Sequence, residues 1–430
     1  MAVEAPPLED APADLAAWLA WLPGLVLVLW HLAFQLGFGY LTPAIARDPG
    51  LSDNQLATIA AAYLVPYALM QWPAGWLTDR YGALRLLAPA ALICGGGALI
   101  FAAAPGFGQL LLSRIVVGTA AALAFPACAQ MARQALPAAE FPLAMGLTES
   151  TVGFGSALVG ATILEAPGLG WRTLVRTEAG AVLLLALLLL PACLSAWRQG
   201  LPGDVASPET DSGSGPDSGS GQDDGGRTLS QAWRPVGLCC LLYAWSGGIV
   251  FGLGDFWGLW LERSRGFPDV LVNDLGVEFF LALGGALVLF GFLGRSSRWR
   301  RGLMVAGTAL FLPLLVLLIP PPGLPTLMVA ATQRGSATLL VLMGIAAASG
   351  ALAFGEAGNL VGATAVARVT AMVNAAGCLS GALFAALPTW LGVEQRGTML
   401  LLVVYGGLGL LGLAAALMLA WPKAAAESTA

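Results

Sequence analysis

Ten side chains hold most of the chemistry this sequence can offer inside its apolar runs. Four are ionisable and fall within long hydrophobic stretches: Arg114, Glu149, Asp255 and Glu278. His31, the only histidine, has Gln35 one helical turn further on. Tyr63, Tyr67 and Gln71 recur every four residues and would share one helical face, and Asn374 stands in a later run. A carboxyl withdrawn from water can exchange protons near neutral pH, and an ionisable group in hydrocarbon costs enough to mark a pathway or a binding site. Three acids against one arginine suit a cation, a neutral polar solute or a proton carrier. Each residue also has a plainer reading. His31 can be a packing histidine and Glu149 a structural partner of a neighbouring helix. Asp255 and Glu278 lie near the outer parts of their runs, where water reaches. Trp257 and Trp260 suit a membrane-interface belt, and Glu356 and Arg368 flank a short loop and suit a structural pairing.

Other chemistry is poorly supplied. One mid-run histidine, with no HExxH and no G-x-S-x-G, leaves little for an intramembrane enzyme. No G-x-x-x-x-G-K-[ST] phosphate loop is present to drive pumping. The six cysteines (94, 128, 193, 239, 240 and 378) form no CxxC pair and sit in apolar segments, so they read as small packing residues rather than metal ligands. No cofactor is expected. A net charge of −5 with no Lys/Arg tract gives no footprint for nucleic acid.

These residues need elements to position them, and composition says what kind. Of 430 residues, 57 % are hydrophobic and 10 % charged, far below the roughly 25 % charged of a soluble domain. The mean hydropathy is +0.78. Such a chain needs lipid as its solvent, and its 56 glycines, set in apolar runs, suit close helix packing. A spanning helix takes about 20 apolar residues. Twelve segments qualify, at 20–44, 54–78, 84–104, 108–131, 141–164, 173–196, 234–261, 270–293, 302–319, 336–357, 367–390 and 397–421. The stretch 1–19 is acidic and Pro-rich with no basic residue, and the first apolar run has no small-residue exit, so it reads as a cytoplasmic tail and not a cleavable signal. Twelve spans put both termini on one side. With the termini inside, the inner loops and tails carry twelve Arg/Lys and the outer loops seven, a bias to which the 295–301 cluster contributes most. Residues 197–233 are rich in Ser, Gly and Asp, and read as a disordered cytoplasmic linker. The expected organisation is therefore an all-α membrane protein: bundles of six helices at 20–196 and 234–421, and a tail at 422–430.

The halves repeat. Gly75-Trp76-Leu77-Thr78-Asp79-Arg80-Tyr81-Gly82 at the end of the second span matches Gly291-Phe292-Leu293-Gly294-Arg295-Ser296-Ser297-Arg298 at the end of the eighth, offset by 216. A weaker match pairs Gly118-Thr119-Ala120-Ala121-Ala122 with Gly344-Ile345-Ala346-Ala347-Ala348. Two six-helix repeats in one chain are a transporter architecture, with the binding site at their interface near the midplane.

At this point the chain resembles the major facilitator superfamily. The loop after the second span has that family's form G-x-L-x-D-R-x-G-x-x-R, carried by Gly75, Leu77, Asp79, Arg80, Gly82 and Arg85. In the family this loop is a latch that closes the two halves in one conformation, which the resemblance implies for Gly75, Asp79, Arg80, Gly82 and Arg85. In the fourth span, Leu110-Leu111-Leu112-Ser113-Arg114-Ile115-Val116-Val117-Gly118 is similar to the family's leucines followed by R-x-x-x-G, which implies proton coupling or substrate binding at Arg114. An arginine snorkelling outward is the other reading. The fifth span keeps the glycines of the exchanger motif (Gly146, Gly153, Gly155) but lacks its proline, which counts against a drug–proton antiporter. Nitrate porters look similar in the second span, yet carry Arg where this chain has Gln71 and a second Arg in span eight, where this chain has Glu278. Arg295 stands where Asp79 stands in the first half, so only the first latch is expected to be intact.

The sequence therefore predicts a secondary active transporter, a multi-pass protein of the plasma (inner) membrane. It would carry a small organic solute by alternating access, with protons as coupling ion, and work as a monomer. The polar set His31, Gln35, Tyr63, Tyr67, Gln71, Arg114, Glu149, Asp255, Glu278 and Asn374 would serve substrate or proton. A transporter-like sensor or scaffold without flux, and a drug/proton efflux antiporter, are the alternatives.

Overall fold

A computed structural model of the chain describes residues 14–48, 50–137, 140–165, 168–199, 229–265, 267–318, 332–361, 365–390 and 399–421. Among the described residues the chain is helical with no strand. The first half comprises α1 (Leu15–Arg47), α2 (Asp53–Tyr81), α3 (Ala83–Ala103), α4 (Phe107–Ala121), α5 (Ala124–Ala135), α6 (Phe141–Glu165) and α7 (Trp171–Arg198). The second comprises α8 (Leu229–Arg265), α9 (Asp269–Leu293), α10 (Ser297–Leu318), α11 (Gln333–Ala347), α12 (Leu352–Asn359), α13 (Val366–Trp390) and α14 (Met399–Ala420). Most of the linker and both tails lie outside the described residues.

The fourth span is α4 plus α5 and the tenth is α11 plus α12, the latter joined by a 3₁₀ turn at Ala348–Ala351. Each break follows one copy of the weaker repeat, after Gly118–Ala122 and after Gly344–Ala348. Twelve helical passages result among the described residues. Ten are long and apolar enough to cross a membrane, and α2 and α6 are not among those ten. Both of these face the other half.

Local chemistry sets the helix ends. Asp14 accepts from the Ala17 backbone N–H at 2.8 Å to open α1. Ser52 and Gln55 form a reciprocal capping box on α2, satisfying two donors that the first turn leaves open. Gly82 takes φ +80°, a left-handed conformation that costs glycine nothing and lets α3 begin at once. Pro66 and Pro73 lie inside α2, tolerated because neighbouring helices resatisfy freed backbone groups in a membrane bundle.

Packing follows the membrane rule that small residues let backbones approach where no hydrophobic drive exists between helices. In the first half α3 packs on α7, α1 on α5 and α6, and α2 on α4. In the second, α8 packs on α13 and α14, α9 on α11, and α10 on α11 and α14. Between halves the main contacts are α6 with α9 and α2 with α13. A Cβ built on Gly146 of α6 would lie 2.6 Å from the Gly291 Cα of α9, and one on Gly153 would meet the Phe280 carbonyl and Gly284. One on Gly75 of α2 would lie 3.2 Å from the Ala371 Cβ and 3.3 Å from the Arg368 Cα. Gly146 and Gly153 of the fifth span thus serve a close crossing with the eighth, while Gly155 faces Leu29 and Ala33 of α1. Further along the same seam, Tyr40 of α1 lies against Gly160 of α6 and Gly276 of α9.

Candidate transport site

Two polar clusters cross between the halves. One lies at the latch end, the end of the molecule that holds residues 79–85. The other is buried part-way along the helices.

The buried cluster starts on α1 and α2. His31 is 1 % exposed. Its Nδ1 lies 3.2 Å from the Tyr63 hydroxyl, which also donates to the His31 carbonyl at 3.3 Å. The His31 ring stacks on Tyr67 at 5.2 Å and Tyr67 on Tyr63 at 6.0 Å, as the four-residue spacing requires. Gln71 follows on the same face, and its Nε2 donates to the Ala122 carbonyl, 3.4 Å away, at the break between α4 and α5. Among the described residues, His31 Nε2, both Gln35 amide atoms and Gln71 Oε1 have no hydrogen-bond partner. Buried polar atoms without partners are costly, and three such side chains around one aromatic stack fit groups that a solute or water would complete.

Two hydrogen bonds carry this cluster across the seam. Asn374 Nδ2 of α13 donates to the Tyr67 hydroxyl at 2.9 Å. The Tyr243 hydroxyl of α8 donates to Glu149 Oε2 of α6 at 3.0 Å. Glu149 is 3 % exposed. Tyr243 also meets the Phe354 ring edge-on at 4.5 Å, and Phe354 packs on Phe125 at 5.0 Å. Cys378, one turn beyond Asn374, donates to Asn374 Oδ1 at 3.8 Å. Three of the chain's six tyrosines meet here.

Arg114 is buried, not snorkelling. Its guanidinium donates to the carbonyls of Phe34 (3.2 Å), Gln35 (3.4 Å) and Ile59 (3.4 Å), and lies over the rings of Phe38 (4.7 Å) and Tyr63 (4.6 Å). Gly118 permits this, since a Cβ there would strike the Tyr63 carbonyl. Arg114 and Glu178 line one cavity of about 10 Å³, room for about a single water.

The structure does not bring every expected residue here. Glu278 is exposed on α9. It continues the stripe of exposed Leu281, Leu289 and Phe292, so it stands on the outer face of its helix and away from Glu149. Asp255, Trp257 and Trp260 lie on α8, with side chains outside the described residues. Tyr243, Cys378 and Glu178 were not among the expected residues. A lone tyrosine in the otherwise apolar start of span seven is the only signal that pointed to Tyr243.

At the latch end, Asp79 in the last turn of α2 accepts from Arg368 Nε of α13 at 2.8 Å. Arg368 is therefore more than a loop-flanking residue. Gln130 of α5 braces the turn, accepting from the Ala83 N–H at 2.8 Å and donating to the Thr78 carbonyl at 2.9 Å. Arg85 donates to the Tyr81 carbonyl at 2.7 Å, and Arg80 lies over the Trp76 and Tyr81 rings. The corresponding turn of the second half corrects an expectation. Arg295, in the place of Asp79, bonds Glu140 just ahead of α6, so this loop also holds the opposite half. Glu356 fills the position of Gln130. It pairs with Arg300 at 2.6 Å and Arg301 at 3.4 Å, and Arg300 donates to the Gly294 carbonyl at 2.7 Å.

Comparison with known proteins agrees with this architecture. Residues 24–385 match the family model described as Major Facilitator Superfamily. A protein of Cupriavidus necator named as a probable sulfoacetate transporter, SauU, is 28 % identical over 152 residues, 35 % of each chain. The 4-hydroxybenzoate transporter PcaK of Pseudomonas putida is 28 % identical over 186 residues, 43 % of this chain and 41 % of its own. A gallate transporter of Pseudomonas putida is 30 % identical over 226 residues, 47 % of this chain and 49 % of its own. These matches span half or less of each relative's length. The chain is an all-α, multi-pass membrane protein, and it belongs to the major facilitator superfamily.

Proposed function

We propose that this chain is a secondary active transporter that moves a small organic acid together with a proton, by alternating access at the seam between its halves. The observation that carries this reading is the Tyr243–Glu149 bond, which joins a carboxyl 3 % exposed in one half to a hydroxyl of the other. An ionised Glu149 can only accept from Tyr243, whereas a protonated one can also donate. Protonation therefore alters the bonding across the seam, and a proton biases the two conformations by its differential affinity for them. A proton on Glu149 also offsets the charge of an organic anion entering beside it. The names of the three relatives reported above support an organic acid as cargo. The unpartnered atoms of His31, Gln35 and Gln71 and the Tyr63–Tyr67 stack would receive it. Arg114, held by three carbonyls, would shape that wall from behind, and Asp79 with Arg368 would latch one closed state. The same reading puts both termini in the cytoplasm and the protein in the membrane as a monomer.

The test is uptake of radiolabelled 4-hydroxybenzoate and sulfoacetate by proteoliposomes, with and without an inward proton gradient. Gradient-driven accumulation that is lost in Glu149→Gln is expected. Accumulation by Glu149→Gln that still follows the gradient would remove Glu149 from the coupling. Thermal stabilisation by either acid without any flux would make the protein a sensor.

A further inference from the structure

The unmet hydrogen bonds of the buried cluster are mostly acceptors. The Tyr63 hydroxyl has one hydrogen, and it goes to the His31 carbonyl at 3.3 Å. Towards His31 Nδ1, 3.2 Å away, the Tyr63 oxygen can therefore only accept. That puts the ring hydrogen of a neutral His31 on Nδ1 and leaves Nε2 as an acceptor. Gln71 is oriented by the Ala122 carbonyl, which has no hydrogen to give, so Nε2 faces that carbonyl and Oε1 is left over. Among the described residues, His31 Nε2, Gln71 Oε1 and both amide atoms of Gln35 have no partner, and all three side chains are buried. The cluster thus holds three unmet acceptor atoms against one unmet donor group, the Gln35 amide nitrogen. His31 and Gln71 also flank one side chain. The His31 ring stacks on Tyr67, and Gln71 follows Tyr67 by one turn on the same helical face.

We propose that the site selects an organic acid that also carries a hydrogen-bond donor, a hydroxyl or an aromatic amine, and that His31 and Gln71 read that donor. This rests on the proposed transport of an organic acid. A carboxylate has no hydrogen to give. It can meet the N–H groups of Gln35, and it cannot satisfy His31 Nε2 or Gln71 Oε1. An acid with no other polar group would press carbon against two buried acceptors, and an acceptor cut off from water costs more than a made bond returns. A hydroxyl or amine on the solute supplies the missing hydrogen. The rings of His31, Tyr67 and Tyr63, stacked beside these acceptors, suit a flat aromatic frame for it. Water is the rival partner, since a buried water can also donate to both atoms.

Competition for uptake separates donors from close analogues. Proteoliposomes holding the full chain take up radiolabelled 4-hydroxybenzoate against unlabelled 4-aminobenzoate, benzoate or 4-methoxybenzoate. The amine keeps N–H donors and should compete nearly as well as unlabelled 4-hydroxybenzoate. Benzoate lacks the group, and the methoxy compound keeps the oxygen without its hydrogen. Both should compete about tenfold more weakly or worse, the scale of a buried acceptor left unpaired. Gln71→Met and His31→Phe each remove one acceptor and keep the bulk, and the phenyl ring still stacks on Tyr67. Each should narrow the gap between benzoate and 4-hydroxybenzoate. A merely structural loss weakens all the acids alike and leaves that ratio unmoved. The parent series decides the matter even where a variant does not fold. Equal competition by all the acids in the parent would overturn the donor requirement, with water filling the acceptors, and leave organic-acid transport standing. Uptake of sulfoacetate, which has no donor, without uptake of 4-hydroxybenzoate would do the same. A graded parent series with ratios unchanged in both variants would remove His31 and Gln71 as its readers. Uptake of neither acid would overturn organic-acid transport and this inference with it.

Discussion

The latch end and the buried seam join the same two halves with different chemistry. At the latch end the bonds are ionic, partly wet and carried by turns: Asp79 with Arg368, and Arg295 with Glu140. At the seam they are single hydrogen bonds from neutral donors, fully buried and carried by helix faces: Asn374 to Tyr67, and Tyr243 to Glu149. The difference follows from what replaces each bond when the halves part. Charges at a membrane edge are rehydrated at little cost, while a buried hydroxyl or amide needs a new partner, which at the seam can be a solute. The latch end is suited to holding a state, and the seam to responding to what binds there.

Overpacking the crossing on which both regions depend should have the largest effect. Gly153→Val puts a side chain against the Phe280 carbonyl and Gly284, backbone that cannot move aside. Overpacking typically costs about 1–3 kcal/mol, so a lowered thermal midpoint in detergent and loss of uptake are expected. Unchanged stability would mean that α6 and α9 do not need this approach. Next comes the seam. Tyr243→Phe leaves the buried Glu149 carboxyl without its donor and should cost about 1–3 kcal/mol in thermal unfolding. The latch end should give less: Arg368→Ala, at a partly exposed pair, is expected to cost about 1 kcal/mol or under. A larger loss there than in Tyr243→Phe would invert the comparison. Asp79→Asn should depopulate the latched conformation and so slow turnover, while leaving the affinity for solute and the pH dependence of uptake in place, whereas Glu149→Gln should remove the pH dependence. Equal loss of affinity and rate in Asp79→Asn would count against a latch. Salt should have the smallest effect. Raising ionic strength screens the wet pairs and should lower the thermal midpoint slightly in the parent, and less in Arg368→Ala.

Much of the fold was legible because lipid leaves few options. Runs of about 20 apolar residues, the 216-residue repeat and the G-x-L-x-D-R-x-G loop led to two six-helix halves without any knowledge of contacts. The site was legible where helical spacing carried it, as with Tyr63, Tyr67 and Gln71. It was not legible where partners are distant in the chain. Glu140 lies 155 residues from Arg295, and nothing local marks it as a partner. Arg295 alone looked like a broken motif, because the motif records one sign and the seam requires only opposite signs. Glu278 stands apart from the buried cluster for another reason. Depth within a span says nothing about the face of the helix, and the stripe shared with Leu281, Leu289 and Phe292 was the available clue.

One arginine constrains how the halves can move. From α4, Arg114 bonds Ile59 of α2 and both Phe34 and Gln35 of α1 through their carbonyls. Sliding any of these three helices past the others would strip carbonyl acceptors from a buried guanidinium, whose adjoining cavity has room for about one water in their place. The wall that carries His31, Gln35, Tyr63 and Tyr67 is riveted from within. Under the proposed function it would travel as a single plate, so access to the site would change by the plate swinging and not by its surface rearranging.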